Sequence, residues 1–330
     1  MSDERLKQVS AIRRAMIRPE LGAICGTILV FVFFFMIAGD SGMFSPEGIQ
    51  NWGVVSAQFA IIAVGACLLM IAGEFDLSVG SMIGFAGVVI AILSVQWGLP
   101  VWLSIIAAFI VCTALGALNG FLVIKTGLPS FIVTLAFLYI LRGLTIWLSI
   151  LTTRQTIIGG VKEVAEGDPL AWLFGGVIFK GFFQWLGDIG VIDTFTRGSR
   201  IGQPVVEGLP MLVIWALALI IFGHWLLTKT RFGNWIFASG GDAQAARYVG
   251  VPVNRVKILM FMFTAFCALL TGGYGSVIGA ALGALIFGVV QQGLFFAGAE
   301  SSLFRVFLGG ILIFAVIMNT YIRRMITGER

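Results

Sequence analysis

The stretch Ala66-Cys67-Leu68-Leu69-Met70-Ile71-Ala72-Gly73-Glu74-Phe75-Asp76-Leu77-Ser78-Val79-Gly80-Ser81-Met82-Ile83 decides how the whole chain is read. Two carboxylates stand in a short polar reversal between two apolar runs, 52–72 and 79–96, neither of which carries a charged residue. A helix of about 20 residues crosses the roughly 30 Å of hydrocarbon in a bilayer, so each run has the length of a span. A chain that meets two such runs back to back turns round at a membrane surface. Composition extends the conclusion outward: 59% of the 330 residues are hydrophobic and 11% charged, against roughly 45–50% and about 25% in soluble domains. Too few charged side chains exist to cover a water-soluble surface, and 43 Gly with 29 Phe suit closely packed helices facing acyl tails.

The same criterion marks apolar stretches at 21–39, 52–72, 79–96, 101–124, 131–151, 209–227, 258–272, 276–297 and 303–321. The expected fold is all-α, a polytopic membrane protein with about 8–10 transmembrane helices in one domain, 1–330. The first stretch follows Arg13 and Arg14 as a signal peptide would, but it is too long for one and no Ala-x-Ala site follows, so a retained span is expected. Short loops rich in Lys and Arg stay on the cytoplasmic side. Residues 1–19 and 228–257 carry five such residues each, with six spans between them, which places both on that side. The segment 152–208, with five basic and six acidic residues, then lies outside, and Trp172 and Trp185 are expected at the interface. Three stretches after residue 257 would put Arg323, Arg324 and Arg330 outside, against the charge bias that makes 322–330 a cytoplasmic terminus. Something in the last third is therefore short, re-entrant or absent. The stretch 258–272 ends in Thr271-Gly272-Gly273 after about 15 residues, brief for a crossing.

The formal net charge of +5 sits in these loops, so no nucleic-acid partner is expected and the membrane itself accounts for the apolar surface. Cys25, Cys67, Cys112 and Cys267 lie in apolar runs with no Cys-x-x-Cys spacing, which indicates neither a disulfide framework nor a metal site. No phosphate-binding Gly-x-x-x-x-Gly-Lys-[Ser/Thr] loop, no Gly-x-Ser-x-Gly elbow and no His-Glu-x-x-His occurs, so no bound cofactor and no covalent catalysis are expected of this chain. An echo of Gly80-Ser81-Met82-Ile83-Gly84 in Gly275-Ser276-Val277-Ile278-Gly279 reads either as an internal repeat or as chance likeness among Gly/Ala-rich helices.

Three features carry function. In the turn at 73–81, Glu74, Asp76, Ser78 and Ser81 either cap the next helix or line a polar pathway between spans. In the basic loop, Asp242 can cap a short Ala-rich helix that Gly250 ends and Pro252 prevents from continuing. Such a short helix outside the bilayer is either an ordinary solvated connector held inside by charge or a handle through which another protein moves the spans. Arg142, inside 131–151, is either a functional charge or a snorkelling side chain, and Arg305 reads as snorkelling.

The turn at 73–81, Asn119-Gly120 through Lys125, Pro129-Ser130-Phe131-Ile132-Val133-Thr134-Leu135 with Arg142-Gly143, and Phe232-Gly233 through Lys257 together resemble the permeases of ribose-type sugar ABC transporters. The resemblance runs from the first span to the end. It implies a subunit of the bacterial inner membrane that imports a monosaccharide, pairs with a second permease chain, and works with a cytoplasmic ATPase that holds ATP and Mg and with a periplasmic sugar-binding protein. It further implies that Asp242, Ala245, Ala246, Arg247, Gly250, Val251 and Pro252 form the helix seated in the ATPase, and that Glu74, Asp76, Ser78, Ser81, Asn119, Thr134 and Arg142 surround the pathway. One departure is visible. Family members carry a further apolar segment before the Gly-Gly-x-Gly-Ser turn, whereas here Ala268-Leu269-Leu270 runs almost directly into it. About one span is missing, which matches the parity mismatch in the charges. The rival expectation, an ion-coupled secondary transporter of a small polar solute, lacks the mid-span carboxylate a proton relay needs.

Overall fold

The computed structural model describes residues 20–168, 170–196, 201–270 and 277–298. Among the described residues, eight long helices pack together: α1 Glu20–Ala38, α2 Pro46–Ile71, α3 Val79–Ala91, α4 Val101–Thr126, α5 Ser130–Thr153, α9 Met211–Lys229, α12 Val253–Leu270 and α13 Val277–Phe296. Shorter pieces join them. Between α5 and α9 lie α6 Val161–Ala165, α7 Ala171–Gly175 and α8 Lys180–Asp188, and between α9 and α12 lie α10 Arg231–Gly241 and α11 Ala243–Tyr248. Among the described residues, seven helices are long and apolar enough to span a membrane, the last being Val253–Leu270. Residues 1–19, 271–276 and 299–330, with Arg305, the stretch 303–321 and the expected cytoplasmic terminus 322–330, lie outside the described residues.

Local chemistry sets the helix ends. Ser45 caps α2 by accepting a hydrogen bond from the Gly48 amide at 3.2 Å, Pro46 fixes the first turn and Glu47 faces its positive end. Pro100 and Pro129 precede α4 and α5, where a missing N–H costs nothing. Several boundaries differ from those read in the sequence: the run at 52–72 begins at Pro46, and two others shift for identifiable reasons. The run at 209–227 starts at Met211, because Leu209 and Pro210 form a strand (β2) that pairs antiparallel with Val177–Ile178 (β1). The run at 258–272 is not short at its start. It begins at Val253, and Arg255 and Lys257, read as loop charges, belong to the first turns of α12. The run 79–96 is α-helical to Ala91 and finishes in a π turn, Ile92–Gln96.

The core lies where α12 crosses α2 and α4. Phe261, Val256, Cys267 and Ala268 of α12 are buried with Val64, Cys67 and Leu68 of α2 and Cys112 of α4. Small residues permit the approach: a Cβ on Gly116 would stand 2.7 Å from the Ala265 Cβ and from the Phe261 carbonyl oxygen, and one on Gly120 would stand 3.0 Å from the Ile258 Cα. Helices in lipid have no hydrophobic drive to associate, so this close contact of backbones supplies the attraction.

The two polar loops occupy opposite ends of the bundle. At the start of α2, Gln50 Nε2 donates to the Gly208 carbonyl at 2.7 Å. At the same end the Trp102 amide donates to Asp168 Oδ2 at 3.1 Å, and Trp215 Nε1 donates to the Leu173 carbonyl at 2.9 Å. The segment 152–208 therefore folds back over that end, with Trp172 and Trp185 both exposed. At the other end of α2, the turn after Ile71 meets α10 and α11. Replacing Gly116 by Val should lower the thermal stability of the detergent-solubilised protein by about 2 kcal/mol through overpacking, while Gly143→Ala, with open space around it, should change it little. Thermal unfolding followed by intrinsic tryptophan fluorescence measures both.

Candidate functional site

Seven residues, Ala72 to Ser78, leave the helical ladder between α2 and α3. Backbone groups released at a membrane boundary must find partners, and the neighbouring helices supply them. The Gly73 and Glu74 amides return to the Met70 and Leu69 carbonyls at 2.9 and 3.1 Å. The Phe75 amide donates to Ser130 Oγ at 3.0 Å and the Leu77 amide to Thr134 Oγ1 at 3.1 Å. Ser130 and Thr134 stand four residues apart, on one face of the first turns of α5, so one helix edge holds alternate amides of an extended strand. The Ser78 amide and hydroxyl both donate to Asp76 Oδ1, at 2.8 and 2.6 Å.

Alternation divides the side chains. Phe75 and Leu77 are each 46% exposed, whereas Glu74 and Ser78 are buried. Asn119 of α4 is fully buried and donates from Nδ2 to Ser78 Oγ at 3.1 Å, and its own carbonyl oxygen has no partner among the described residues. Asn119, Ser78 and Asp76 thus form one hydrogen-bonded chain. Burial pushes the Asp76 carboxyl up from its ordinary range, and the two bonds from Ser78 oppose that rise. Glu74 lies on the other side of the turn, where Lys257 Nζ of α12 donates to its Oε1 at 2.5 Å. Ser78 takes the first capping position of α3, but its side chain makes no capping bond; Asp76 binds it instead. Ser81 is half-buried in the first turn of α3, outside this network.

The elbow between α9 and α12 is built with equal economy of parts. Thr230 caps α10 by accepting from the Gly233 amide at 3.0 Å, and Asp242 Oδ1 caps α11 by accepting from the Gln244 and Ala245 amides, each at 2.9 Å. Gly250, with φ +86°, makes the left-handed exit, and Val251-Pro252 leads into α12. Arg247 donates to Asn254 Oδ1 at 2.9 Å, tying α11 to α12. Ala246 is 4% exposed and faces the bundle, whereas Tyr248 and Val249 are 88% and 80% exposed at the tip. Ala245 is exposed and Val251 half-buried. Beneath the elbow, Glu74, Gly127, Arg247, Asn254 and Lys257 line a cavity of about 340 Å³.

Arg142 stands apart. It is exposed on α5 with no hydrogen bond or ion pair among the described residues. Because α5 runs from Ser130 to Thr153, Arg142 lies about 18 Å from its start and about 16 Å from its end, further than its side chain reaches. The turn residues Glu74, Asp76, Ser78, Asn119 and Thr134 are brought together; Arg142 and Ser81 are not. Ser130, Asn254 and Lys257 complete the arrangement and were not singled out in the sequence. The four-residue spacing of Ser130 and Thr134 was the signal available for the first of them.

Comparison with known proteins places this arrangement in context. The profile of the family described as "Branched-chain amino acid transport system / permease component" matches residues 48–273, more than half of the chain and both regions just described. The chain belongs to this permease family. It is 29% identical to the xylose transport system permease protein XylH of Haemophilus influenzae, over 89% of this chain and 94% of that protein. It is 28% identical to the ribose import permease protein RbsC of Escherichia coli K12, over 79% and 81%, and 29% identical to the inner membrane ABC transporter permease protein YjfF of the same strain, over 88% and 89%. The alignment with the Haemophilus influenzae protein extends over 352 residues, more than the 330 of the chain, so that relative contains residues this one lacks. The family match ends at residue 273, within the Gly-rich stretch before which the resemblance implies a missing segment.

Thr134→Val should leave the Leu77 amide unsatisfied, at a cost of about 1–3 kcal/mol. Hydrogen exchange of residues 74–78 should accelerate accordingly, while Thr145→Val, which removes only a bond to its own helix at Leu141, should leave that segment unchanged.

Proposed function

We propose that this chain is the membrane permease subunit of an ATP-driven importer of monosaccharides. Two copies form the pathway, a cytoplasmic ATPase binds ATP and Mg and presses on the α10–α11 elbow, and a periplasmic binding protein delivers the sugar. The observation that carries the reading is the elbow itself. Ala246 anchors this capped six-residue helix to the bundle while its Tyr248-Val249 tip stands almost wholly in solvent, and such an apolar tip fits the groove of a partner. The family, and relatives named as xylose and ribose permeases over most of their length, support a sugar as cargo and do not favour the ion-coupled alternative. The side of each loop follows from charge: the elbow loop carries five basic residues, which retains it in the cytoplasm, and the opposite loop 152–208 receives the binding protein.

In this reading the chain performs no covalent step. The ATPase must bind two arrangements of the bundle with different affinity, since only a difference can shift the equilibrium between them. Ala245, Arg247, Gly250, Val251 and Pro252 shape the elbow, and Ala246 anchors it to the bundle. Asp76, Ser78, Asn119 and Thr134 hold the turn at the inner end of the pathway, and Arg142 faces the passage between the two copies, because a mid-span guanidinium is too costly to leave in lipid.

The reading is tested by reconstituting the chain with an ATPase and binding protein from a xylose or ribose system and asking which sugar stimulates ATP hydrolysis. Tyr248→Asp with Val249→Asp should reduce that stimulation by about tenfold or more, the effect of losing an interface anchor worth about 2 kcal/mol, without unfolding the bundle. Ala246→Leu should instead lower thermal stability, because its site is filled. Sugar uptake that persists without ATP but stops when the ion gradient is dissipated would overturn the reading.

A further inference from the structure

The elbow helix α11 is fastened to the pathway turn at both of its ends. Upstream, Gly240 lies against the end of α2: a Cβ there would stand within bonding range of the Ile71 carbonyl oxygen, and one on Gly73, whose φ is +85°, would stand 3.3 Å from the Gly240 Cα. The two backbones are in direct contact, with no side chain between them. Downstream, Arg247 is bonded to Asn254, and Lys257, one helical turn further along the same face of α12, reaches Glu74 Oε1. The two attachment points on the turn, Gly73 and Glu74, are adjacent in sequence. The side chains of Lys257 and Glu74 are only 16% and 11% exposed, so little water competes for the pair.

We infer that Gly240–Gly73 and Lys257–Glu74 form a strut that transmits displacement of α11 to the turn 73–78, with Glu74 and Lys257 acting as positioning residues rather than as groups that meet the sugar. This rests on the proposed role of the elbow in binding an ATPase. Motion of α11 would then be delivered to Asp76 and Ser78 by two routes, backbone on backbone upstream and through a mostly buried ion pair downstream. The pair also supplies two discrete arrangements, made and broken, of the kind a switching element needs.

The test uses the full complex with its ATPase, with Cys25→Ser and Leu77→Cys carrying an environment-sensitive fluorophore on the turn. In the otherwise unaltered complex, trapping with ATP and vanadate should shift the label. In Glu74→Gln with Lys257→Met, which removes both charges and leaves none unpaired, the ATPase should still co-purify and hydrolyse ATP, while the shifted fraction falls on the order of tenfold, as expected when coupling between two sites is lost. Exchanging the charges, Glu74→Lys with Lys257→Glu, should restore the shift. A neutral double variant that keeps the full shift, or that no longer assembles with the ATPase, overturns the inference. A label that is silent in the unaltered complex overturns the proposed function of the elbow instead.

Discussion

Everything at the elbow end of this bundle depends on one constraint: seven residues that leave a helix at a membrane boundary must have their amides satisfied without bulk water. The chain meets it at the turn 72–78 with Ser130, Thr134 and Asp76, which accept from the Phe75, Leu77 and Ser78 amides, while Asn119 of α4 donates to the Ser78 hydroxyl. The polar side chains in this part of the sequence are thereby explained twice. They make a non-helical connection tolerable, and they bind it to three helices at once, so the connection cannot shift without moving its neighbours.

The glycine face of α4 has the complementary part. By letting α12 approach closely at Gly116 and Gly120, it brings Lys257 within reach of Glu74 from the far side of the turn. The polar junction and the tight helix crossing are consequences of one packing arrangement. A wider crossing would leave a lysine and a glutamate facing apolar surroundings separately, and the penalty for such unpaired charges is several times that of a lost surface contact.

The spans and the elbow were legible in the sequence because their signals are local. Apolar length marks a crossing, and Asp242, Gly250 and Pro252 punctuate a short helix wherever they occur at that spacing. What was not legible depends on pairing between distant segments. Lys257 looks like a loop charge until Glu74, 183 residues earlier, neutralises it, and for that reason the start of α12 was placed too late. The pairing of Val177-Ile178 with Leu209-Pro210 lacks any alternating pattern long enough to announce a strand. The exposure of Arg142 was not legible either: the run 131–151 shows where apolar residues are, not which side of the finished helix remains uncovered.

Among the described residues, the first helix, α1, is held along one flank only. Phe34 and Ala38 pack with Val289, Val290 and Leu294 of α13, Phe31 sets its ring edge-on to Trp52, and Ile28, Leu29, Phe35 and Met36 remain open to the surroundings. A helix seated this way can change its tilt without disturbing the crossing of α2, α4 and α12. Variation in bilayer thickness is therefore absorbed at the periphery, and the inner junction keeps its geometry in membranes of differing lipid length.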